Sequence, residues 1–222
     1  MSYIWDFSGY TNLTRLEDCT GEGWTAPTAG TFKYAFRVIT GPPSYADSFI
    51  DGTTGFGYAI CPDQGSADHY TEVTWDTSTK SSVYPCCVRL VDASNWVGGN
   101  YTGAGSVGIR LYSRIAGTLT QEISAQSANT LPFQMRVEVE GETYRFYENG
   151  IQLGIDITIS DSDISTSETS QGMVANAATT TANITSFEAG ARVNPFRSYF
   201  STTPVTAISM DVSTAPSEGD SI

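Results

Sequence analysis

The stretch DASNWVGGNYTGAG brings together Asp92, Asn95, Trp96, Asn100 and Tyr101, residue types that between them can hold a sugar. An aromatic ring covers the apolar C–H face of a sugar, while side-chain oxygens and amides meet its hydroxyls. The same residues also read as a glycine-rich connection whose Trp packs onto a sheet and whose Asn caps a turn. A second constellation, Glu138, Glu140 and Glu142, is spaced i, i+2, i+4. Two carboxylates across a glycosidic bond can act as nucleophile and general acid. Gly141 is expected to turn the chain between Glu140 and Glu142, so the three do not share a face and read as a solvated strand end. Asp161, Asp163 and Glu168 could offer hard oxygens to calcium, but a solvated loop after a strand explains them more simply, and no cofactor is expected. His69 is the only histidine and has no nucleophile at motif spacing, so it reads as a surface loop residue. No Gly-x-Ser-x-Gly, P-loop or His-Glu-x-x-His motif occurs. No catalytic residue and no metal ligand set is expected, and the chain is not expected to be an enzyme.

The elements that position these residues are legible in the composition. The chain has 222 residues, with 24 acidic against 11 basic and a net charge of −13. That charge repels a phosphate backbone, and no basic cluster offsets it, so nucleic acid is excluded as a partner. No uninterrupted apolar run is longer than Tyr58 to Cys61, which rules out a membrane-spanning helix. Thr and Ser number 29 and 25, and Val and Ile far outnumber Leu. Such a palette favours strands, because β-branched side chains suit a pleated surface. The opening MSYIWDFSGY has neither the basic nor the apolar region of a signal peptide. Cys19, Cys61, Cys86 and Cys87 lack zinc or disulfide-framework spacing and read as free thiols, with the adjacent Cys86 and Cys87 on opposite faces of a strand.

Periodicity then places the strands. Phe133, Met135, Val137 and Val139 alternate with Gln134, Arg136, Glu138 and Glu140, the pattern of a strand with one buried face. Thr143 to Tyr147 follows Gly141, and Asn149-Gly150 marks a tight hairpin into a strand with Ile151, Leu153, Ile155, Ile157 and Ile159 on one face. Strands are also expected over Thr31 to Thr40, Gly55 to Cys61, Tyr70 to Asp76 and Val83 to Val91. Ser106 to Ile115 places Val107, Ile109, Leu111 and Ile115 inward and Arg110, Tyr112 and Arg114 outward. Leu119 to Ser124, Gln171 to Ala175 and Thr181 to Ala189 complete about a dozen short strands, the signature of an all-β antiparallel two-sheet sandwich or jelly roll. Residues 1–190 form that sandwich. Residues 191–222 lose the periodicity and read as a C-terminal arm, with Phe196, Arg197, Tyr199 and Phe200 as assembly contacts.

The order of these pieces resembles the concanavalin A-like (lectin/glucanase, laminin G-like) jelly-roll superfamily. The resemblance runs from Trp5-Asp6-Phe7 and Gly23-Trp24 through Val88-Arg89-Leu90 and Asp92 to Trp96 to the hairpin VEVEGETYRFYENGIQL and the closing strands. It covers roughly residues 3 to 190. Such modules occur in phage virion proteins, adhesins and glycosidases, so the fold alone does not choose a function. The leading expectation is a virion structural protein, a capsid decoration or tail-associated protein made in the host cytoplasm. It would contact other virion proteins or copies of itself as a homo-oligomer. The alternative is a carbohydrate-binding module of a phage fibre or exported adhesin, working outside the cell on a surface glycan. A glycoside hydrolase is the third reading.

Overall fold

Alternating Val and Ile with few good helix formers leave strand pairing as the way to satisfy the backbone, and in the computed structural model the strands among the described residues all pair antiparallel. It describes residues 2–5, 23–25, 34–39, 45–50, 56–76, 83–102, 108–126, 131–176 and 184–192, and none of these is helical. The strands are β1 (Ser2–Trp5), β2 (Tyr34–Ile39), β3 (Tyr45–Ile50), β4 (Phe56–Ile60), β5 (His69–Trp75), β6 (Val83–Asp92), β7 (Asn95–Thr102), β8 (Gly108–Ile115), β9 (Thr118–Gln126), β10 (Phe133–Glu140), β11 (Thr143–Glu148), β12 (Ile151–Thr158), β13 (Gln171–Asn176) and β14 (Ile184–Ala191). An eight-stranded sheet has the order β12-β11-β10-β5-β14-β3-β2, with β1 also on β14. A six-stranded sheet has the order β4-β13-β6-β7-β8-β9. The expected antiparallel sandwich is what forms. These residues belong to one unit, Met1–Arg192. Phe196, Arg197, Tyr199 and Phe200 of the expected arm lie outside the described residues.

Between the sheets, Val73, Trp75, Val88, Val97, Ile109, Leu111, Phe133, Met135, Val137, Phe146, Met173 and Phe187 are buried together. Trp5 stacks on Trp24 with ring centroids 4.8 Å apart, and Trp24 meets Phe187 edge-on at 5.0 Å. One buried amide crosses the sandwich: Gln171 of β13 donates to the carbonyls of Tyr70 (3.1 Å) and Gly190 (3.3 Å) in the other sheet. Cys61, Cys86 and Cys87 are buried free thiols. Cys86 faces the main core and Cys87 the opposite side of β6, as adjacent strand residues must.

Four sequence expectations need correcting. The glycine-rich stretch read as a connection is the strand β7, near the middle of the six-stranded sheet. Its glycines are there for close approach: a Cβ on Gly98 would lie 2.5 Å from Cys87 Sγ, and one on Gly99 would lie 2.7 Å from Phe146 Cε2. Strand β3 is an additional strand that periodicity did not mark. In β12 the alternating isoleucines do not all turn inward. Ile151 and Ile155 are exposed, because β12 is an edge strand, with a register shift against β11 and Gly154 at φ 69°. Finally, His69 is not a surface residue; it is the first residue of β5 and fully buried.

His69 sits in a buried polar unit. Its Nε2 accepts the backbone N–H of Arg89 (3.1 Å) while Nδ1 faces the Ser66 carbonyl (2.8 Å), which fixes a neutral ring with the proton on Nδ1. Arg89 has φ 47° and a guanidinium buried in the sandwich, where it donates to Tyr144 Oη (3.3 Å) and to the carbonyls of Ala67 and Thr166 (3.4 Å each). Burial lowers the His69 pKa to about 4, partly offset by the Ser66 hydrogen bond; Arg89 lowers it further, and Glu168 and Asp68 raise it.

Two outcomes follow. Gly172 lies so close to β4 that an added Cβ would sit 2.0 Å from the Ala59 carbonyl oxygen, a backbone atom that cannot swing aside. Gly172→Ala is therefore expected to cost about 3 kcal/mol in urea unfolding by prising β4 from β13. For His69 the folded pKa lies below the unfolded one, so its contribution is present above pH ~6.5 and is lost as pH falls toward 4. The loss is about 3 kcal/mol from the shift alone. Urea midpoints at pH 7 and 4.5 should fall further for the wild type than for His69→Gln, and equal falls would show that the ring titrates normally.

Candidate functional site

Alternation forces the residues between the core positions of the six-stranded sheet onto its outer face, and there they form a second apolar layer. Tyr84, Cys87 and Leu90 of β6, Trp96 of β7 and Val174 of β13 are buried in it, with Phe56, Tyr58 and Ile60 of β4 and Tyr112 of β8 half-buried against them. Tyr84 is the hub, 4.6 Å from Trp96, 5.5 Å from Tyr112 at 87°, and 6.0 Å from Phe56 between ring centroids. The Arg114 guanidinium lies 4.0 Å over the Phe56 ring. It is held there by bonds to the carbonyls of Gly117 (3.1 Å) and Ala93 (2.5 Å). Arg110, four residues before Arg114 on the same face of β8, donates to Tyr112 Oη (3.3 Å), which donates to Gln121 (3.2 Å). The Arg110 Nε is buried and has no hydrogen-bond partner among the described residues. Burial raises the Tyr58 pKa and Asp92 raises it further, so its hydroxyl stays protonated and able to donate.

The five residues expected to bind sugar are not gathered on one open surface. Tyr101 points the other way, into the main core between Trp75 and Phe133. Trp96 is on the outer face but fully buried, its indole N–H donated to the Ala93 carbonyl (3.2 Å). Asn100 is buried and donates to the Val83 carbonyl (2.7 Å). Asp92 accepts from the Ser94 N–H (2.6 Å) and the Asn95 side chain (3.2 Å), while Asn95 accepts from Ala116 N–H (2.9 Å). Asp92 and Asn95 thus build the turn that seats Trp96 and Arg114. The rings left half-open are instead Phe56, Tyr58 and Tyr112. Their signal was present: Tyr112 lies between two outward arginines, and Phe56 and Tyr58 are spaced i, i+2 on a strand. Their functional weight was missed because alternation names a face without saying what else shares it.

The outer face of the eight-stranded sheet is ionic. Glu138 and Glu140 share it, whereas Glu142 lies beyond the Gly141 turn and accepts from Ser160 Oγ (2.8 Å). Glu138 receives Arg136 (2.6 Å), Arg192 (3.2 Å) and Tyr147 Oη (3.2 Å). Arg145 bridges Glu140 (3.2 Å) and Asp156 (3.0 Å), and Arg192 also meets Glu140. Burial raises the Glu72 pKa against the pull of Arg136, which also covers the Tyr70 ring at 3.6 Å. Asp161 and Glu168 accept backbone N–H groups of Asp163 and Ser170 (2.8 Å each), and among the described residues no group of three His, Cys, Asp or Glu side chains could hold a metal. A cavity of about 410 Å³ is lined by Glu142, Ser160, Asp161, Ser162, Ser165 and Thr166.

No known protein family and no curated protein matches the sequence. Solved structures do match in fold. The carbohydrate-binding module CBM66 from Bacillus subtilis is 17% identical at a TM-score of 0.50, over 74% of this chain and 95% of that one. A xylan β-1,4-xylosidase from Bacillus halodurans C-125 is 12% identical at 0.56 over 84% of this chain, which spans only 38% of the xylosidase. The Crh5 transglycosylase, solved with NAG, is 14% identical at 0.50, over 86% and 84% of the two chains. At such identities the likeness is one of fold, consistent with the jelly-roll expectation. It also corrects the expectation that the chain is not an enzyme: glycoside hydrolases and a transglycosylase are among the proteins that share the fold.

The geometry makes Trp96 a structural residue. Trp96→Ala should cost about 3–5 kcal/mol, the range for emptying a large buried aromatic site. Thermal unfolding checks this; a Tm within a few degrees of wild type would mean the ring is not packed as described.

Proposed function

We propose that the chain is a carbohydrate-binding β-sandwich that holds glycan on the outer face of its six-stranded sheet. The observation that carries this is the half-open aromatic surface of Phe56, Tyr58 and Tyr112, rimmed by Arg110, Gln121 and Asp92. Rings meet the apolar face of a sugar, and the rim supplies donors and acceptors to its hydroxyls. Because the buried layer of Tyr84 and Trp96 fixes the ring positions, little ordering entropy remains to be lost on binding. The carbohydrate-binding and glycan-processing proteins that share the fold support the same reading. In it the partner is a polymeric or cell-surface glycan. A virion setting finds no support among these likenesses.

Affinity electrophoresis in gels containing individual polysaccharides tests the proposal. Retardation of the wild type by at least one polymer is expected, weakened tenfold or more in Tyr58→Ala and in Tyr112→Ala with Tm shifted only slightly. Free migration of the wild type through every polymer would end the proposal.

A further inference from the structure

The arginines of the two sheets are used differently. Arg136, Arg145 and Arg192 all meet carboxylates of the eight-stranded sheet or its rim at hydrogen-bonding distance. On the aromatic face, neither Arg110 nor Arg114 has a carboxylate within ion-pair distance among the described residues. Arg114 is nonetheless committed, clamped by two carbonyls and laid over Phe56. Arg110 has one long bond, to Tyr112, and no carboxylate; its Nε is buried and unpartnered, as are those of Arg89 and Arg136, so only its terminal N–H groups are open to a ligand. A chain with 24 acidic residues and 11 basic ones has no shortage of carboxylates to place opposite it. The terminal N–H groups of a half-buried guanidinium that meets no carboxylate of its own are suited to an incoming carboxylate, which can bind two of them at once.

We infer that the glycan taken by this face carries carboxylates, as a polymer of uronic acids does, and that Arg110 is the residue that receives them. This deepens the proposed function and rests on it. A sugar ring lies on Tyr112 while its carboxylate reaches Arg110 beside Tyr112 Oη. Overall net charge of −13 repels a polyanion at long range, so the discrimination must come from this contact and not from steering.

The test compares polymers of one backbone with their carboxylates free or blocked: polygalacturonate against highly methyl-esterified pectin, and alginate against its propylene glycol ester. Neutral xylan and levan are run alongside. The wild type is expected to bind at least one free-acid polymer tenfold or more tighter than its ester. Arg110→Gln should abolish that preference, so that the free acid is no longer bound more tightly than its ester. Equal binding of acid and ester, or binding of neutral polymers alone, overturns the inference and leaves the proposed function standing. An undiminished preference in Arg110→Gln overturns the assignment to that residue. Failure of the wild type to bind any of these polymers overturns the inference, while the proposed function is decided by the wider range of polysaccharides.

Discussion

Neighbouring residues of an extended strand cannot share a face, and this molecule makes both faces of one sheet apolar. In β6 the residues Val83, Cys86 and Val88 enter the main core, while Tyr84, Cys87 and Leu90 go to the outer layer. Trp96 and Val97 divide the same way on β7, and Met173 and Val174 on β13. A two-sheet sandwich needs only one buried face per sheet, so the second layer goes beyond what the architecture requires, even though its buried rings add to stability. An apolar, half-covered surface on an otherwise polar molecule is what a binding face looks like.

Much of the frame was legible because it follows from local rules. The alternation in Phe133 to Glu140, the Asn149-Gly150 turn and the outward placing of Arg110, Tyr112 and Arg114 all read directly from residue type and spacing. What escaped was set by contacts between distant segments. Nothing in Gly98-Gly99 has strand propensity; β7 is a strand because those glycines let Cys87 and Phe146 come close on its two sides. The residues around Trp96 allow two readings in sequence, a sugar platform or a ring packed on the sheet beside a turn-capping Asn, and the structure packs the ring. Whether an aromatic is a platform or a packed floor depends on Phe56, some forty residues away, lying 5.8 Å from it. Likewise the lone histidine looked exposed because it follows a polar loop, yet β10 and β14 pair on either side of it.

The two outer faces also differ electrostatically. The eight-stranded sheet matches its glutamates with arginines and tyrosines, so its polar surface is largely self-satisfied. Among the described residues the aromatic face gives its two arginines no carboxylate at ion-pair distance, Asp92 acting on Arg114 from further off, and bonds Arg114 into a carbonyl clamp. Position, ring exposure and charge thus single out the same sheet, although no one of them would have done so alone.

The adjacent thiols Cys86 and Cys87 turn this layered construction into something that can be read chemically. Burial raises the pKa of both, that of Cys86 to about 12, so neither is a ready nucleophile while its layer is closed. A thiol-trapping reagent reaches Cys87 only when the outer aromatic layer parts, and Cys86 only when the sheets separate. Two consecutive sulfur atoms therefore report on separate opening events, giving the molecule a pair of built-in clocks for the loosening of its skin and of its centre.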